Sequence, residues 1–530
     1  MKILSTISRL AMIPMASVVI AGCTHDFVEI NTDPNKMTVG DLQPYGMFEP
    51  LLYGMANNQT YYSYYWNDEL VQFTAATALT AQERHRYKIT EAQWGSVWNN
   101  YAGKGLNAKH MYDLGVKFGE KGCQAVALTL KVYALSNLTD LYGDIPYSEA
   151  YMQSQGIDRP KFDSQKHVYE QMFAELEAAN DLYASKPDFS RPTIDIMYGG
   201  DMQMWRKFNN SLYLRLLCRV SGRSEMNAGN KIADILADPS KYPVMVSNAD
   251  NATIRNTGKD PYYGRFRPID ITKTNFTSGA YKITKQFLKM TVIADGSSSE
   301  QDPRLTTWAA KYANGDDWKG TTSGCEPSDA QIDTQGCALL NYEVLVRDEA
   351  PDFLMDYSEV LFIQAEAALK GWIAGGDTKA RSYYEQAVRA SCQKWAELEQ
   401  FSKIKAPIDD DAIDKLLQGK LAGWDNNADK ERLIAEQKFL SLFWVGMEAF
   451  HELRRTSWPE LTIGEGAFYN GWHLPQRLGY PSTSVGSNPD NVKAALENMG
   501  GENDMLTPVW WSYKAIHGTF REIRPANATN

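Results

Sequence analysis

The chain has 530 residues, of which 43% are hydrophobic and 22% are charged. This balance is typical of a folded protein, and it excludes a disordered chain or a polytopic membrane protein. The formal net charge of −11 argues against nucleic acid as a partner, because an acidic protein is repelled by the phosphate backbone. Aromatic residues make up 12% of the chain, a proportion high enough that some rings should reach the surface.

Residues 1–22 are predicted to be an export signal. Lys2 and Arg9 accompany an apolar run that is too short to stay in a bilayer as a spanning helix. The run ends in Ile20-Ala21-Gly22-Cys23, which resembles the lipobox of bacterial lipoproteins. We therefore expect cleavage before Cys23, acylation of this cysteine, and a lipid anchor and tether over residues 23–45. An ordinary secretory signal with a chance cysteine is the alternative.

Helical periodicity dominates the rest of the chain. Asp356 to Trp372 places apolar residues at i, i+3, i+7 and i+8, and a glycine-rich turn leads into a second helix from Asp377 to about Trp395. Such a pair resembles a tetratricopeptide unit, with small residues where the helices meet. Further helices are predicted over 124–137, 164–183, 201–221 and 430–453.

Two regions lack this periodicity and are predicted to be long loops with a short hairpin: 239–352 and 459–530. Long loops in a folded chain are commonly functional. Aromatic rings in these loops include Tyr262, Tyr263 and Trp318, and a separate run, Tyr61-Tyr62-Ser63-Tyr64-Tyr65-Trp66-Asn67, holds five rings in six residues. Because flat rings can bind the C–H faces of sugars, we predict ligand contacts from Tyr65, Trp66, Asn67, Tyr262, Tyr263 and Trp318. Packing between helices is the alternative for any one of these rings.

The remaining cysteines are divided between apolar helical stretches and one polar segment. Cys123, Cys218 and Cys392 are predicted to be buried thiols. Cys325 and Cys337 flank the polar segment, where an exported chain permits either a disulfide between them or two free thiols.

Short catalytic and metal-binding signatures are absent from the sequence. It contains no GxSxG, HExxH, GxxxxGK[ST] or GxGxxG motif, and its seven histidines are scattered. The spacing of an EF-hand calcium loop begins at Asp425, Asn427 and Asp429. Lys430, however, occupies the position where that loop needs glycine. We therefore interpret Asn427 or Asp429 as a helix N-cap. We predict no metal, no cofactor and no catalytic residue.

Several motifs in collinear order resemble the SusD/RagB family of surface nutrient-binding lipoproteins of Bacteroidetes. The motifs are FVEINTDPN after Cys23, LTDLYGDIPYSEA from Leu138, WRKFNNSLYLRLLCR from Trp205, DPRL from Asp302, YSEVLFIQAEAALKGW from Tyr357, EQK from Glu436, HELRRTSWP from His451 and PQRLGYP from Pro475. They span nearly the whole mature chain. They are mainly framework motifs, so residues such as Arg454 and Arg455 are expected to pair within the scaffold.

The resemblance implies a mainly α, SusD-like fold over residues 46–530, with tetratricopeptide-like helix pairs and long ligand-presenting loops. It also implies an outer-membrane lipoprotein that faces the cell exterior and touches the membrane through its lipid anchor. Such a protein would capture a nutrient, usually an oligosaccharide, and pass it to a SusC-like TonB-dependent transporter without catalysis. Two alternatives remain: the same scaffold with a peptide or other nutrient as cargo, and a surface glycosidase that uses two carboxylates without a recognisable motif.

Overall fold

The structure is a computed structural model, and it describes residues 43–76, 83–278, 281–294, 299–312, 317–329, 333–526 and 528. Its described α-helices of five or more residues are α1 (Pro44–Tyr62), α2 (Glu91–Phe118), α3 (Lys121–Tyr142), α4 (Gln165–Ala184), α5 (Met202–Arg219), α6 (Ala228–Ala237), α7 (Lys285–Thr291), α8 (Tyr357–Leu369), α9 (Gly376–Glu399), α10 (Asp410–Gln418), α11 (Lys430–Ser441), α12 (Glu448–Thr456), α13 (Ser482–Ser487), α14 (Pro489–Met499) and α15 (Tyr513–His517). The predicted mainly α class is confirmed.

Successive helices pack in pairs. The predicted pair over 356–395 is confirmed as α8 and α9, and Ala365, Ala368 and Ala387 are fully buried, which allows close approach of the helices. A second pair joins α2 to α3, and α3 continues the stack onto α4 and α4 onto α5.

Local signals define the ends of α2. The Thr90 hydroxyl accepts from the Gln93 N–H while the Gln93 side chain accepts from the Thr90 N–H, which is a capping box. At the other end Gly119 adopts the left-handed conformation that terminates a helix, with φ of 72°.

One predicted helix is divided in the structure. The segment 430–453 forms α11 and α12, because the backbone between them turns at Trp444 and Gly446, which have φ of 68° and 55°. Two left-handed residues cannot continue an α-helix. The apolar pattern persists through the turn because Trp444 is itself buried, so periodicity alone did not reveal the break.

The predicted loops contain short strands and short helices. The strands are β1 (Thr74–Ala76), β2 (Ala252–Ile254), β3 (Tyr281–Ile283), β4 (Val292–Ala294), β5 (Ser299–Gln301), β6 (Ala309–Ala310), β7 (Leu339–Leu340), β8 (Asp352–Met355), β9 (Leu461–Thr462) and β10 (Glu522–Ile523). An antiparallel sheet has the order β1-β3-β7-β6, while β4 with β5, β2 with β8, and β9 with β10 form pairs. The antiparallel β4–β5 pair lies in one of the two regions where a short hairpin was predicted.

Candidate ligand-binding surface

Helix α1 presents a row of polar and aromatic side chains on its outer face. Glu49, Tyr53, Asn57 and Tyr61 recur every four residues and are partly exposed, whereas Phe48, Leu51, Leu52, Met55 and Ala56 are buried on the opposite side. This division follows from helical geometry, since residues four apart lie on one face. We call Glu49, Tyr53, Asn57, Tyr61 and Tyr65 the tyrosine stripe.

A π turn over Ser63–Asn67 adds Tyr65 to the stripe. The ring of Tyr65 lies 4.6 Å from that of Tyr61 between centroids, and both rings are partly exposed. The alternate rings Tyr62 and Tyr64 point inward and are buried, as expected for a run that no single face can accommodate. Such π turns are frequent at functional sites.

The loop of residues 256–267, here named the Tyr262 loop, packs along the stripe. The Tyr262 hydroxyl donates to Glu49, and the Tyr53 hydroxyl donates to the carbonyl of Tyr263 at 2.8 Å. The rings of Tyr53 and Tyr262 meet edge to face at 5.9 Å. Burial, with the neighbouring Glu49 carboxylate, raises the pKa of Tyr262 to about 12, so its hydroxyl stays a hydrogen-bond donor at neutral pH.

Buried polar contacts hold this loop against α1. Asn256 donates its amide N–H to the carbonyl of Ala350 at 2.7 Å and to Asp352 at 2.8 Å, and Asp352 also accepts from the Thr60 hydroxyl of α1. Burial raises the pKa of Asp352 to about 6, although both hydrogen bonds favour its ionised form. One carboxyl group therefore connects the loop, β8 and the underside of α1.

The structure brings three of the predicted ligand contacts together and separates the others. Tyr65 belongs to the stripe, and Tyr262 and Tyr263 lie beside it. Trp66 is only 3% exposed and lies under the Arg84 guanidinium at 4.6 Å, and Asn67 is 0% exposed, so neither side chain reaches the surface. The side-chain carbonyl oxygen of Asn67 accepts a hydrogen bond from the Phe450 N–H at 3.0 Å.

Trp318 lies elsewhere. It is partly exposed, donates from Nε1 to Gln301 of β5 at 2.7 Å, and has the Lys311 ammonium group 5.5 Å from its ring centroid. Among the described ring contacts, none joins Trp318 to the tyrosine stripe. Its predicted ligand contact would therefore belong to a different part of the surface.

Sequence reasoning missed Tyr53, Asn57 and Tyr61 as members of the site, and missed the arginine beside them. The four-residue spacing of these three side chains would have revealed the stripe if α1 had been predicted. Arg265 of the Tyr262 loop lies over Tyr61 at 4.9 Å and donates to Asn57 at 3.4 Å.

The cysteine pair expected in the loop region is not bonded. Cys325 and Cys337 are both free thiols, so the disulfide expectation is wrong for this structure and the alternative of two thiols holds. Each lies in a different set of contacts: the Cys337 thiol donates to the Asp333 carbonyl at 3.1 Å, and the Cys325 carbonyl accepts from Arg86 at 2.6 Å. Cys123, Cys218 and Cys392 are buried thiols, as predicted, and Cys23 lies outside the described residues.

The framework motifs line a cavity of about 330 Å³ between α8, α11, α12 and α15. Arg455 there forms a bidentate ion pair with Glu366, at 2.9 and 2.7 Å, and a second pair with Glu452 at 2.6 Å. Arg454 donates to the carbonyls of Asp140 and Gln476, so both arginines are scaffold residues, as predicted.

The apparent calcium loop is a helix start. Asp429 accepts from the Arg432 N–H at 2.9 Å and caps α11, while Asp425 pairs with Arg381. Within the described residues no group of three or more His, Cys, Asp or Glu side chains is placed to hold a metal ion. Within the same residues no helix is both long and apolar enough to cross a bilayer.

Comparison with known proteins identifies the family. The family model SusD-like_2, described as "Starch-binding associating with outer membrane", matches residues 34–481. No curated protein matches the chain. Similar solved structures include a SusD homologue from Bacteroides fragilis NCTC 9343, which is 23% identical with a TM-score of 0.73 over 89% of this chain and 99% of that chain.

Two further structures are similar to the same extent. A SusD homologue from Parabacteroides distasonis ATCC 8503 is 22% identical with a TM-score of 0.74, covering 89% of this chain and 98% of that chain. A chitin-binding SusD homologue from Flavobacterium johnsoniae is 23% identical with a TM-score of 0.70, covering 88% of this chain and 98% of that chain. At these identities the likeness establishes the fold, whereas the family model covers most of the chain. The chain therefore belongs to the SusD-like family of nutrient-binding proteins that associate with the outer membrane.

Proposed function

We propose that the protein is a cell-surface lipoprotein that binds an oligosaccharide at the tyrosine stripe and passes it to a SusC-like TonB-dependent transporter. The observation that carries this proposal is the stripe itself: partly exposed rings at regular spacing, interleaved with amide and hydroxyl groups, on a SusD-like scaffold. Ring faces stack on the C–H groups of sugars, and the neighbouring Asn57 can hydrogen-bond hydroxyl groups. A chitin-binding relative with the same fold supports a saccharide as the cargo.

Binding without cleavage is part of the proposal. A glycosidase needs two carboxyl groups that flank the bound sugar. The stripe contains one carboxylate, that of Glu49, and this carboxylate already accepts a hydrogen bond from Tyr262. We therefore expect no reducing ends to be released when oligosaccharides are incubated with the protein.

Calorimetric titration with a panel of oligosaccharides tests the stripe. Replacing Tyr61 or Tyr65 by Ala should weaken binding about fivefold, because a ring contact contributes about 1 kcal/mol. The control is Tyr383→Ala on α9, a partly exposed ring away from the stripe that should leave affinity unchanged. Unchanged affinity in both stripe variants contradicts the assignment, and binding of peptides without binding of saccharides contradicts the cargo class.

The transporter partner is tested separately. The protein, expressed with the TonB-dependent transporter encoded beside it, should co-purify with that transporter from detergent-solubilised outer membranes. Purification of the two proteins in separate fractions under mild detergent would contradict the delivery role while leaving ligand binding intact.

A further inference from the structure

Arg265, at one edge of the tyrosine stripe, forms no ion pair with any of the described residues. Its guanidinium lies over Tyr61, its single described hydrogen bond goes to Asn57, and its buried Nε has no acceptor. The charge of the buried Asp352 interacts with it only at longer range. Arg267, two residues further on, stacks on Tyr263 at 3.9 Å but pairs with Asp348 and Asp270 at 3.5 and 3.6 Å.

Lys104 of α2 is a second such cation, on the other edge of the α1 face. Its ammonium group lies against Gly54, so close that a Cβ added there would be 2.5 Å from Nζ. Also between α1 and α2, the Asn58 side chain donates a hydrogen bond to the Asn100 side chain at 3.1 Å. The described residues give Lys104 neither an ion pair nor a hydrogen bond, and burial lowers its pKa.

The segment that forms most of this surface carries few charges. Between Glu49 and Asp68 the sequence has no charged residue, Glu49 is hydrogen-bonded to Tyr262, and Asp68 is fully buried. Partly buried cations without counter-ions are costly, because they lose hydration without gaining an ionic contact. An anion supplied by the ligand would offset that cost and form charge-assisted hydrogen bonds, which are stronger than neutral ones.

We infer that the tyrosine stripe binds an anionic oligosaccharide, whose carboxylate or sulfate groups contact Arg265 and Lys104 while its sugar rings stack on the tyrosines between them. This inference rests on the proposed function, since it names the chemical class of the ligand for the same surface. Apart from Glu49, the side chains of the stripe are uncharged rings and an amide, which suit sugar rings and hydroxyls better than an all-charged ligand.

The test compares ligands that differ in charge but not in ring structure. Oligogalacturonate and alginate oligomers, sulfated chondroitin oligomers, and the methyl esters of the uronates would be titrated into the lipid-free mature protein by calorimetry. At least one acidic class should bind, its neutral methyl ester should bind about tenfold more weakly, and added salt should weaken the acidic ligand more than the ester. Because chondroitin carries carboxylates as well, comparing the sulfated chondroitin oligomers with the same oligomers after desulfation shows whether sulfate or carboxylate is the anion bound.

Variants then assign the effect to the two side chains. Arg265→Gln and Lys104→Gln should each weaken the acidic ligand about tenfold and lower the salt dependence of its binding, whereas the methyl ester should lose less affinity than the acid. The matched controls are Arg255→Gln and Lys109→Gln. Arg255 is exposed and paired with Glu397, and Lys109 is partly exposed and paired with Asp113. Circular dichroism and thermal melts establish that every variant is folded.

Each of the other outcomes overturns the inference. Equal binding of neutral and acidic oligomers, unaffected by Arg265→Gln and Lys104→Gln, refutes the anionic ligand but leaves a saccharide-binding function in place. Binding of polyglutamate peptide without any saccharide refutes both the anionic saccharide and the proposed saccharide function. Binding of no acidic oligosaccharide at all refutes the inference even if neutral oligosaccharides bind.

Discussion

Glu452 is a buried carboxylate held between two cations. It accepts from Lys438 at 3.1 Å and from Arg455 at 2.6 Å, and Arg455 also pairs with Glu366 of α8. Burial alone would raise the pKa of Glu452, yet the charges of Arg455 and Lys438 hold it at about 2, below the ordinary value of 4.5. The cluster thus joins α8, α11 and α12 through charges whose removal would leave buried ions without partners.

We expect Glu452→Gln to lower the free energy of unfolding at neutral pH by about 3–5 kcal/mol, because it leaves buried cations unpaired. A carboxyl group whose folded pKa is lowered binds fewer protons folded than unfolded, so its contribution is present above pH 4.5 and is lost as the pH falls towards about 2. Wild-type protein should therefore lose more stability than the variant over that interval. Urea titrations at several pH values measure both effects.

The control for this prediction is Glu497→Gln. Glu497 forms an exposed pair with Lys493 on α14, so its loss should change stability by less than about 0.5 kcal/mol. A Glu452→Gln variant as stable as wild type, or with the same loss of stability in acid, would show that the cluster is not a stabilising ion network.

Some residues of the candidate ligand-binding surface could be predicted from the sequence, and others could not. Tyr65, Tyr262 and Tyr263 stood out because rings are dense in those segments. Arg265 did not, because nothing in the sequence distinguishes it from Arg267. Only the fold shows that Arg267 has carboxylate partners while the described surroundings of Arg265 supply none.

The loop that contains Gly464 crosses the loop that contains Gly324, and the two glycines meet at the crossing. At Gly464, which precedes the 3₁₀ helix Glu465–Asn470, an added Cβ would lie 2.3 Å from the carbonyl oxygen and 2.4 Å from the carbonyl carbon of Gly324. The atoms in the way are backbone, which cannot rotate aside as a side chain can. The crossing therefore depends on the absence of a side chain at this position.

Gly464→Ala should destabilise the protein by about 1–3 kcal/mol, because overpacking forces a backbone shift. The comparison is Gly486→Ala in α13, where an added Cβ has no heavy atom within 4 Å and the backbone is helical. Alanine should be neutral or mildly stabilising there. Equal thermal midpoints for the two variants would contradict the tight crossing.

Helices α8 and α9 were predicted from the spacing of their apolar residues, whereas several other helices were missed. Helix α1 was missed because it contains Pro50 and has no side-chain cap at its start. Helix α14 carried clear signals, with Pro489 in its first turn and Gly500 just past its end, but lay in a region interpreted as loop. Short helices of this kind are fixed by tertiary packing rather than by their own propensity.

The lipid anchor that would attach the whole molecule to the membrane stays a prediction, because Cys23 lies outside the described residues. Cys23→Ser should shift the protein from the membrane fraction to the soluble fraction, because acyl chains contribute roughly 0.8 kcal/mol per buried methylene and serine cannot take the lipid thioether. Cys325→Ser, a partly exposed thiol in the folded body, should leave the protein on the membrane. Cell fractionation with immunoblotting measures the shift, and a Cys23→Ser variant that still sediments with membranes would refute lipid anchoring.

The π turn at Ser63–Asn67 also decides how many rings one ligand can meet. In a regular α-helix, each step of four residues overshoots a full rotation by about 40°, so a row spaced in this way spirals slowly around the axis. A π turn has a wider winding and reverses this drift, which returns Tyr65 to the side of Tyr61, 4.6 Å away. The π turn holds one residue more than the α-helical turn it replaces, so the platform owes its fifth side chain to a single extra amino acid.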